Sequence, residues 1–204
     1  MSAIDHIHGS YVHPRRVQVL ADHIAALLSP GASVLDVGCG DGLLASEVSH
    51  RRPDITVTGV DILVRPSVKF PVKAFDGQSI PYEDKTFDSV LFVDVLHHTH
   101  DPLVLLREAK RVAKTELVIK DHTMDRPLSG PILRFMDRVG NERHGVESVY
   151  NYWPTARWRA AFSELGLSVQ DWIASPSIYP WPASLIFARN LHFMARLSPR
   201  PTGT

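Results

Sequence analysis

The nine residues Val34-Leu35-Asp36-Val37-Gly38-Cys39-Gly40-Asp41-Gly42 constrain this chain more than any other stretch. A short apolar run that breaks into glycines reads as a buried strand ending in a sharp turn, where the backbone can approach a ligand closely. The helix that follows brings its free N–H groups to the same point. A pyrophosphate would call for the spacing G-x-G-x-x-G. Here the third glycine comes one place early, at Gly42, and Asp36 sets a carboxylate at the strand end. A carboxylate repels phosphate and attracts an ammonium or sulfonium group.

The remaining chain reads as alternating helices and strands around that turn. In residues 14–28 the positions Val17, Leu20, Ala21, Ile24, Leu27 and Leu28 share one helical face, Pro14 suits the first turn, and Ser29-Pro30-Gly31 stops the helix. Residues 41–50 continue the glycine turn as a helix, and the β-branched run 55–60 is a second strand. Further strands are expected at 72–75, 89–93 and 117–119, with a helix between the last two opened by the cap pair Asp101-Pro102. Thr155 is expected to cap a helix that buries Trp158, Ala161, Phe162 and Leu165 and ends at Gly166. Two last strands are expected around 168–172 and 185–191. Alternation of this kind predicts a parallel sheet with helices on both faces and a ligand site at the carboxyl ends of the strands. Two stretches break the pattern. Only ten residues, Pro66 and Pro71 among them, separate Asp61 from Val72, so that connection should be an irregular strap rather than a crossover helix. Residues 123–154 follow neither period and read as a partly helical insertion over the site.

Asp61 stands at the end of the second strand, where an acid can accept from both hydroxyls of a ribose. Ile62 can cover one face of a purine, and Asp76-Gly77, after the third strand, can meet its edge. The implied ligand is an adenosine without phosphates that carries a charged amino-acid tail.

With these residues in view, the chain resembles the class I S-adenosylmethionine-dependent methyltransferases, in particular the type 11 subgroup typified by ubiquinone/menaquinone methyltransferases. The segments that carry the resemblance are VLDVGCGDG, VTGVDI, AFDGQSIPYEDKTFDSVLFVDVLHH and the HDP that follows. The resemblance implies a Rossmann-like three-layer α/β sandwich whose seven-stranded, mostly parallel sheet has one antiparallel strand. It implies one methyltransferase domain over 1–204: a helical N-terminal cap (1–30), a cofactor-binding core (31–122), a lid over the acceptor site (123–154) and a C-terminal helix with strands (155–204). It further implies that Asp36, Gly38, Cys39 and Gly40 hold the methionine part of S-adenosylmethionine, Asp61 the ribose, and Ile62, Asp76 and Gly77 the adenine. In similar proteins the segment before the first helix folds over the cofactor, which makes Tyr11 and Arg16 candidates to close it.

The acceptor side is marked by Asp94, His97, His98 and, after the fifth strand, Asp121 and His122. His98 and His122 are the candidate general bases, with His97, Asp94 and Asp121 behind them. Three histidines among four positions could also ligate a metal, but no matching downstream pair is visible, and none is assigned. Tyr150, Tyr152 and Trp153 could line an apolar acceptor pocket. Cys39 serves the turn through its backbone and packs as a small side chain. Lys plus Arg and Asp plus Glu both number 22, so no electrostatic footprint for nucleic acid or an anionic membrane is present. The expected acceptor is therefore a small or lipid-like organic molecule, with oxygen, nitrogen or carbon methylation open. A single cysteine, an N-terminus without an apolar core and the lack of a long apolar run point to a cytoplasmic chain without a membrane span. Two other readings compete: an NAD(P)-dependent oxidoreductase on a similar sheet, and a non-catalytic cofactor-binding partner subunit.

Overall fold

The computed structural model describes residues 13–141, 149–181, 183–187 and 190–200. Helix α1 (His13–Leu27) leads into β1 (Ser33–Val37), α2 (Leu43–Arg51), β2 (Thr56–Asp61), β3 (Val72–Ala74) and β4 (Phe87–Val93). A single 3-10 turn (Leu96–His98) precedes α3 (Pro102–Val112) and β5 (Ala113–His122). The chain closes with α4 (Ser129–Asn141), α5 (Thr155–Glu164), β6 (Leu167–Ala174), α6 (Ser184–Phe187) and β7 (His192–Pro199). The strands form one seven-stranded sheet in the order β3-β2-β1-β4-β5-β7-β6. All neighbours pair in parallel except β7, which runs antiparallel to both β5 and β6.

Both faces of the sheet are covered, which makes the central strands near-continuously apolar. One core joins Leu35, Val37, Val90, Phe92 and Leu117 to Leu106 of α3 and to Trp158 and Phe162 of α5. The other joins Val34, Leu91, Val118 and Met194 to Leu20 and Ile24 of α1 and Val48 of α2. Alternate residues of each strand thus serve opposite layers, the period-2 rule at work. A third, smaller core of Leu133, Tyr152 and Leu191 seats α4 over the carboxyl ends of the strands.

The strap after Asp61 carries no helix, as its length and prolines require. Asp101 caps α3 through its carboxylate, which accepts from the Leu103 N–H at 2.9 Å. Three local expectations are corrected. The last strand begins at His192, not near residue 185; Leu185 and Ile186 lie in the short α6 and stand about half exposed (50% and 56%). The apolar run there mimics a buried strand, whereas β7 opens on the buried polar His192. Thr155 is the first helical residue of α5 rather than its cap; the cap is Pro154, and Thr155 donates from its N–H and hydroxyl to Asp125. The third helix-to-strand boundary also moves, because Ala113 already opens β5.

Candidate active site

The glycine turn leaves β1 through Gly38 and Gly40, both at positive φ (74° and 60°), a region that an L side chain enters only at a cost of about 1–2 kcal/mol. Close approach makes the same demand. A Cβ on Gly38 would come within 2.5 Å of Val95 Cγ2, and one on Gly42 within 2.6 Å of the Phe70 ring. Asp61 sits opposite: its Oδ2 accepts from the Gly40 N–H at 2.8 Å and its Oδ1 from the Leu63 N–H at 2.9 Å. Each oxygen keeps a further lone pair for a ligand hydroxyl. Asp36 is 4% exposed, and among the described residues its carboxylate receives no hydrogen bond. Burial, with the negative charge of Asp61 adding to it, pushes the Asp36 carboxyl up to about 7. A buried carboxylate without a donor is costly unless a ligand completes it. Burial and the two nearby acids raise the Cys39 thiol above its ordinary value, which removes thiolate character.

On the outer side, Ile62 is 59% exposed, and its Cγ2 lies 3.2 Å from where a Gly77 Cβ would stand. The adenine candidates Ile62, Asp76 and Gly77 are thereby brought to one place. Asp76 also accepts from the Gln78 and Ser79 N–H groups, which hold its carboxyl below the ordinary range. Tyr11 lies outside the described residues.

Val95 ties this turn to the acceptor side, because the residues flanking it carry the second cluster. Asp94 adopts a left-handed backbone (φ 56°), an uncommon state for a non-glycine residue and one found at functional sites. Its carboxylate is salt-bridged to both Arg16 of α1 and Lys120 of β5. Although burial opposes ionisation, the charges of Lys120 and Arg16 hold the Asp94 carboxyl well below its ordinary value. Arg16 is thus committed to Asp94 in this structure.

His97 is fully buried and donates from Nδ1 to Asp121 Oδ1 at 2.7 Å. Its Nε2 lies 3.4 Å from Asp137 Oδ2. Burial disfavours its charge, but Asp121 and Asp137 outweigh that and push the imidazole up to about 10. Asp121 also accepts from the backbone N–H groups of Leu96 (3.1 Å) and His122 (2.7 Å), so it pins the loop after β4 to the end of β5. His122 is 5% exposed, with Nδ1 3.4 Å from the Leu191 carbonyl and Nε2 3.5 Å from Asp94 Oδ1. Burial, aided by the positive charge of Lys120, holds it well below its ordinary value and therefore neutral. Burial likewise lowers His98, with the charge of His97 adding to the effect.

The structure therefore brings Asp94, His97, His98, Asp121 and His122 into one cluster. The His97 ring centre lies 4.1 Å from that of His98, at a tilt, and 4.6 Å from that of His122, edge to face. Four further members escaped the sequence reading. Lys120 and His192 lie fully buried on β5 and β7, 3.3 Å apart. Asp137 comes from α4 and accepts from the Tyr152 hydroxyl. Tyr179 packs on His192 with ring centres 5.5 Å apart. Tyr152, expected in an apolar pocket wall, instead presents its hydroxyl to an acid.

Known proteins resemble this chain in sequence and in fold. A family model described as a methyltransferase domain matches residues 11–171. The ubiquinone biosynthesis O-methyltransferase of Actinobacillus pleuropneumoniae is 31% identical over 119 residues, which cover 50% of each chain. This chain thus spans about half the length of the curated relatives it matches. Among solved structures, a SAM-dependent methyltransferase from Aquifex aeolicus superposes with a TM-score of 0.62 at 18% identity, covering 91% of this chain and 93% of that one. A Pyrococcus horikoshii protein gives 0.68 at 19% identity, covering 94% and 92%. These two likenesses carry the fold. The family match, which spans most of the chain, shows that the chain belongs to the class I S-adenosylmethionine-dependent methyltransferases.

Proposed function

We propose that this chain transfers a methyl group from S-adenosylmethionine to a hydroxyl of a small organic acceptor. One observation carries the reading: Asp36, a buried carboxylate without a donor among the described residues, stands at a glycine turn whose wall, Val95, is shared with a histidine–aspartate cluster. Asp36 and the turn at Gly38, Cys39 and Gly40 suit a cationic amino-acid tail, Asp61 a ribose, and Ile62 with Asp76 and Gly77 an adenine. When bound, the sulfonium supplies a methyl group that is already activated, so catalysis rests mainly on positioning, an effect of up to roughly 7–11 kcal/mol.

The protein's own residues supply the rest. His98 is partly exposed beside the cluster and neutral, since burial lowers its affinity for a proton, so it can take one from an acceptor hydroxyl. Such a base adds roughly 10²–10⁴-fold. Asp121 has all its bonds directed to the protein and acts as a positioning residue for the loop that carries His97 and His98. Helix α4 covers the cluster and excludes water from it, which strengthens each polar contact inside. Oxygen is favoured over nitrogen or carbon by the names of the matched relatives: besides the ubiquinone enzyme, the 27-O-demethylrifamycin SV methyltransferase of Amycolatopsis mediterranei is 30% identical over 110 residues. The balanced charge of the chain supports a neutral small molecule over nucleic acid. Among the described residues, no helix is long and apolar enough to cross a membrane.

The test is equilibrium binding followed by turnover. The purified chain should bind S-adenosylmethionine and not NAD, and should release S-adenosylhomocysteine with a panel of phenolic and alcoholic acceptors. Binding of NAD in its place, or tight cofactor binding with no open path from solvent to the sulfonium, would overturn the enzyme reading.

A further inference from the structure

Between β4, β5 and α4, side chains of Asp94, His97, His98, His122 and Asp137 turn potential ligand atoms toward one another. Asp94, His97 and His122 each present a ligand atom within 4.8 Å of the others, and His97, His98 and Asp137 do the same. The two triads share His97. The distances joining them are 3.4 Å from His97 Nε2 to Asp137 Oδ2, 3.5 Å from His122 Nε2 to Asp94 Oδ1, and 3.8 Å from His122 Nε2 to Asp137 Oδ1. A four-coordinate ion with bonds of about 2.0–2.2 Å needs ligand atoms about 3.3–3.6 Å apart. Two of these three distances fall within that range, and the third, 3.8 Å, lies just outside it.

A second observation points the same way. His97 Nε2 is fully buried and makes no hydrogen bond, despite the carboxylate beside it. The outer nitrogens, in contrast, are both engaged: His97 Nδ1 donates to Asp121 at 2.7 Å, and His122 Nδ1 faces the Leu191 carbonyl at 3.4 Å. A carboxylate or a backbone carbonyl on the far nitrogen is the arrangement that orients metal-binding imidazoles and directs their Nε2 lone pairs inward.

We propose that His97, His122, Asp94 and Asp137 bind one divalent transition-metal ion of the zinc, cobalt or manganese type, with Asp121 as the group that orients His97. Nitrogen and carboxylate ligands together favour such ions over calcium or magnesium. Asp94 and His98, both partly exposed, leave the ion a way in from solvent. Metal binding does not depend on the methyl-transfer reading.

The experiment uses the full chain, stripped with a chelator and titrated with Zn²⁺ or Co²⁺ in the absence of S-adenosylmethionine. One ion per chain by elemental analysis is expected, with the visible absorption of low-coordinate Co²⁺. Paramagnetic shifts on the His97 and His122 ring protons of the unaltered protein should accompany it. His122→Gln and Asp137→Asn should each weaken uptake at least tenfold, and Asp121→Asn by about 10–100-fold, while His50→Gln on the surface leaves it unchanged. No stoichiometric uptake would overturn the proposal and leave methyl transfer standing. So would uptake that survives these substitutions, or Co²⁺ that leaves both ring systems unshifted, a readout that holds even where a variant fails to fold.

Discussion

Replacing Asp36 by asparagine should make the ligand-free protein more stable and its grip on the cofactor weaker. Asp36 lies 4% exposed at the end of β1, without a hydrogen-bond donor among the described residues, and burial with the charge of Asp61 raises its carboxyl from 3.8 to about 7. The folded chain therefore holds a proton there between about pH 4 and pH 7 that the unfolded chain has released. Stability must fall as pH rises across that window and level off above it. Three decades of proton affinity correspond to about 4 kcal/mol. Relaxation of the surroundings, which gives even buried sites an effective dielectric constant near 20, takes up part of this, so a gain of about 2–4 kcal/mol is expected at pH 8. For a chain of this length that is roughly 4–16 °C in Tm. As pH falls through the window the gain should shrink, and it should vanish only below about pH 4, where the folded and unfolded chains both hold the proton.

The cofactor side has the opposite sign. A cationic amino-acid tail favours ionised Asp36, so binding to the native chain should tighten as pH rises through 7 and should release a proton, whereas the asparagine variant should bind weakly and without that pH dependence. Thermal melts and titration calorimetry at pH 5.5 and 8 measure both. An asparagine variant no more stable than the native chain at pH 8, or a native affinity that is flat with pH, would refute the reasoning.

Asp61→Ala removes a charged acceptor and should weaken S-adenosylmethionine by roughly 1.5–3 kcal/mol in the same calorimetry, with melting temperature reporting the separate loss of the Gly40 bond. Trp158→Ala, which empties a fully buried site and frees the His122 carbonyl from its 3.0 Å indole bond, should cost roughly 3–5 kcal/mol in denaturant unfolding. Asp101→Ala should cost about 1 kcal/mol through the lost α3 cap and leave cofactor affinity alone. His98→Ala should lower kcat more than it raises KM, and an unchanged kcat would place the proton acceptor elsewhere.

Much of this site was legible because its residues follow strands. Asp36, Asp61 and Asp94 each end an apolar run, and in a parallel sheet such positions converge on one edge whatever the connections do. What the sequence reading missed came from elements where burial and polarity disagree. Lys120 continues the run Leu117-Val118-Ile119 without interruption, and a charge directly after three apolar strand residues is a signal that it turns into the site rather than out of it. Asp137 stands four residues after the fully buried Leu133, hence on the inward stripe of α4. That spacing could have revealed it, had the helix been placed. His192 was hidden by the misplaced last strand: reading 185–191 as β structure left the actual strand, and its inward histidine, outside the sheet.

The cluster at the ends of β4 and β5 also explains why α1 belongs to the site. Arg16 reaches from α1 to Asp94, whose other partner, Lys120, sits on β5, so one carboxylate joins three elements. Buried pairs of this kind seldom repay their desolvation, yet removing one partner leaves a charge uncompensated at a cost of about 3–5 kcal/mol. Their worth here is geometric. Asp94 is held at positive φ, a state that costs about 1–2 kcal/mol and persists only when neighbours enforce it. Arg16→Gln should therefore loosen the turn after β4 as well as the helix, and Val95, which packs where a Gly38 Cβ would stand, would carry that loosening to the glycine turn. Reduced hydrogen-exchange protection at residues 38–42 and 94–98 together is the expected signature. A loss confined to α1 would show that the two halves of the site are mechanically independent.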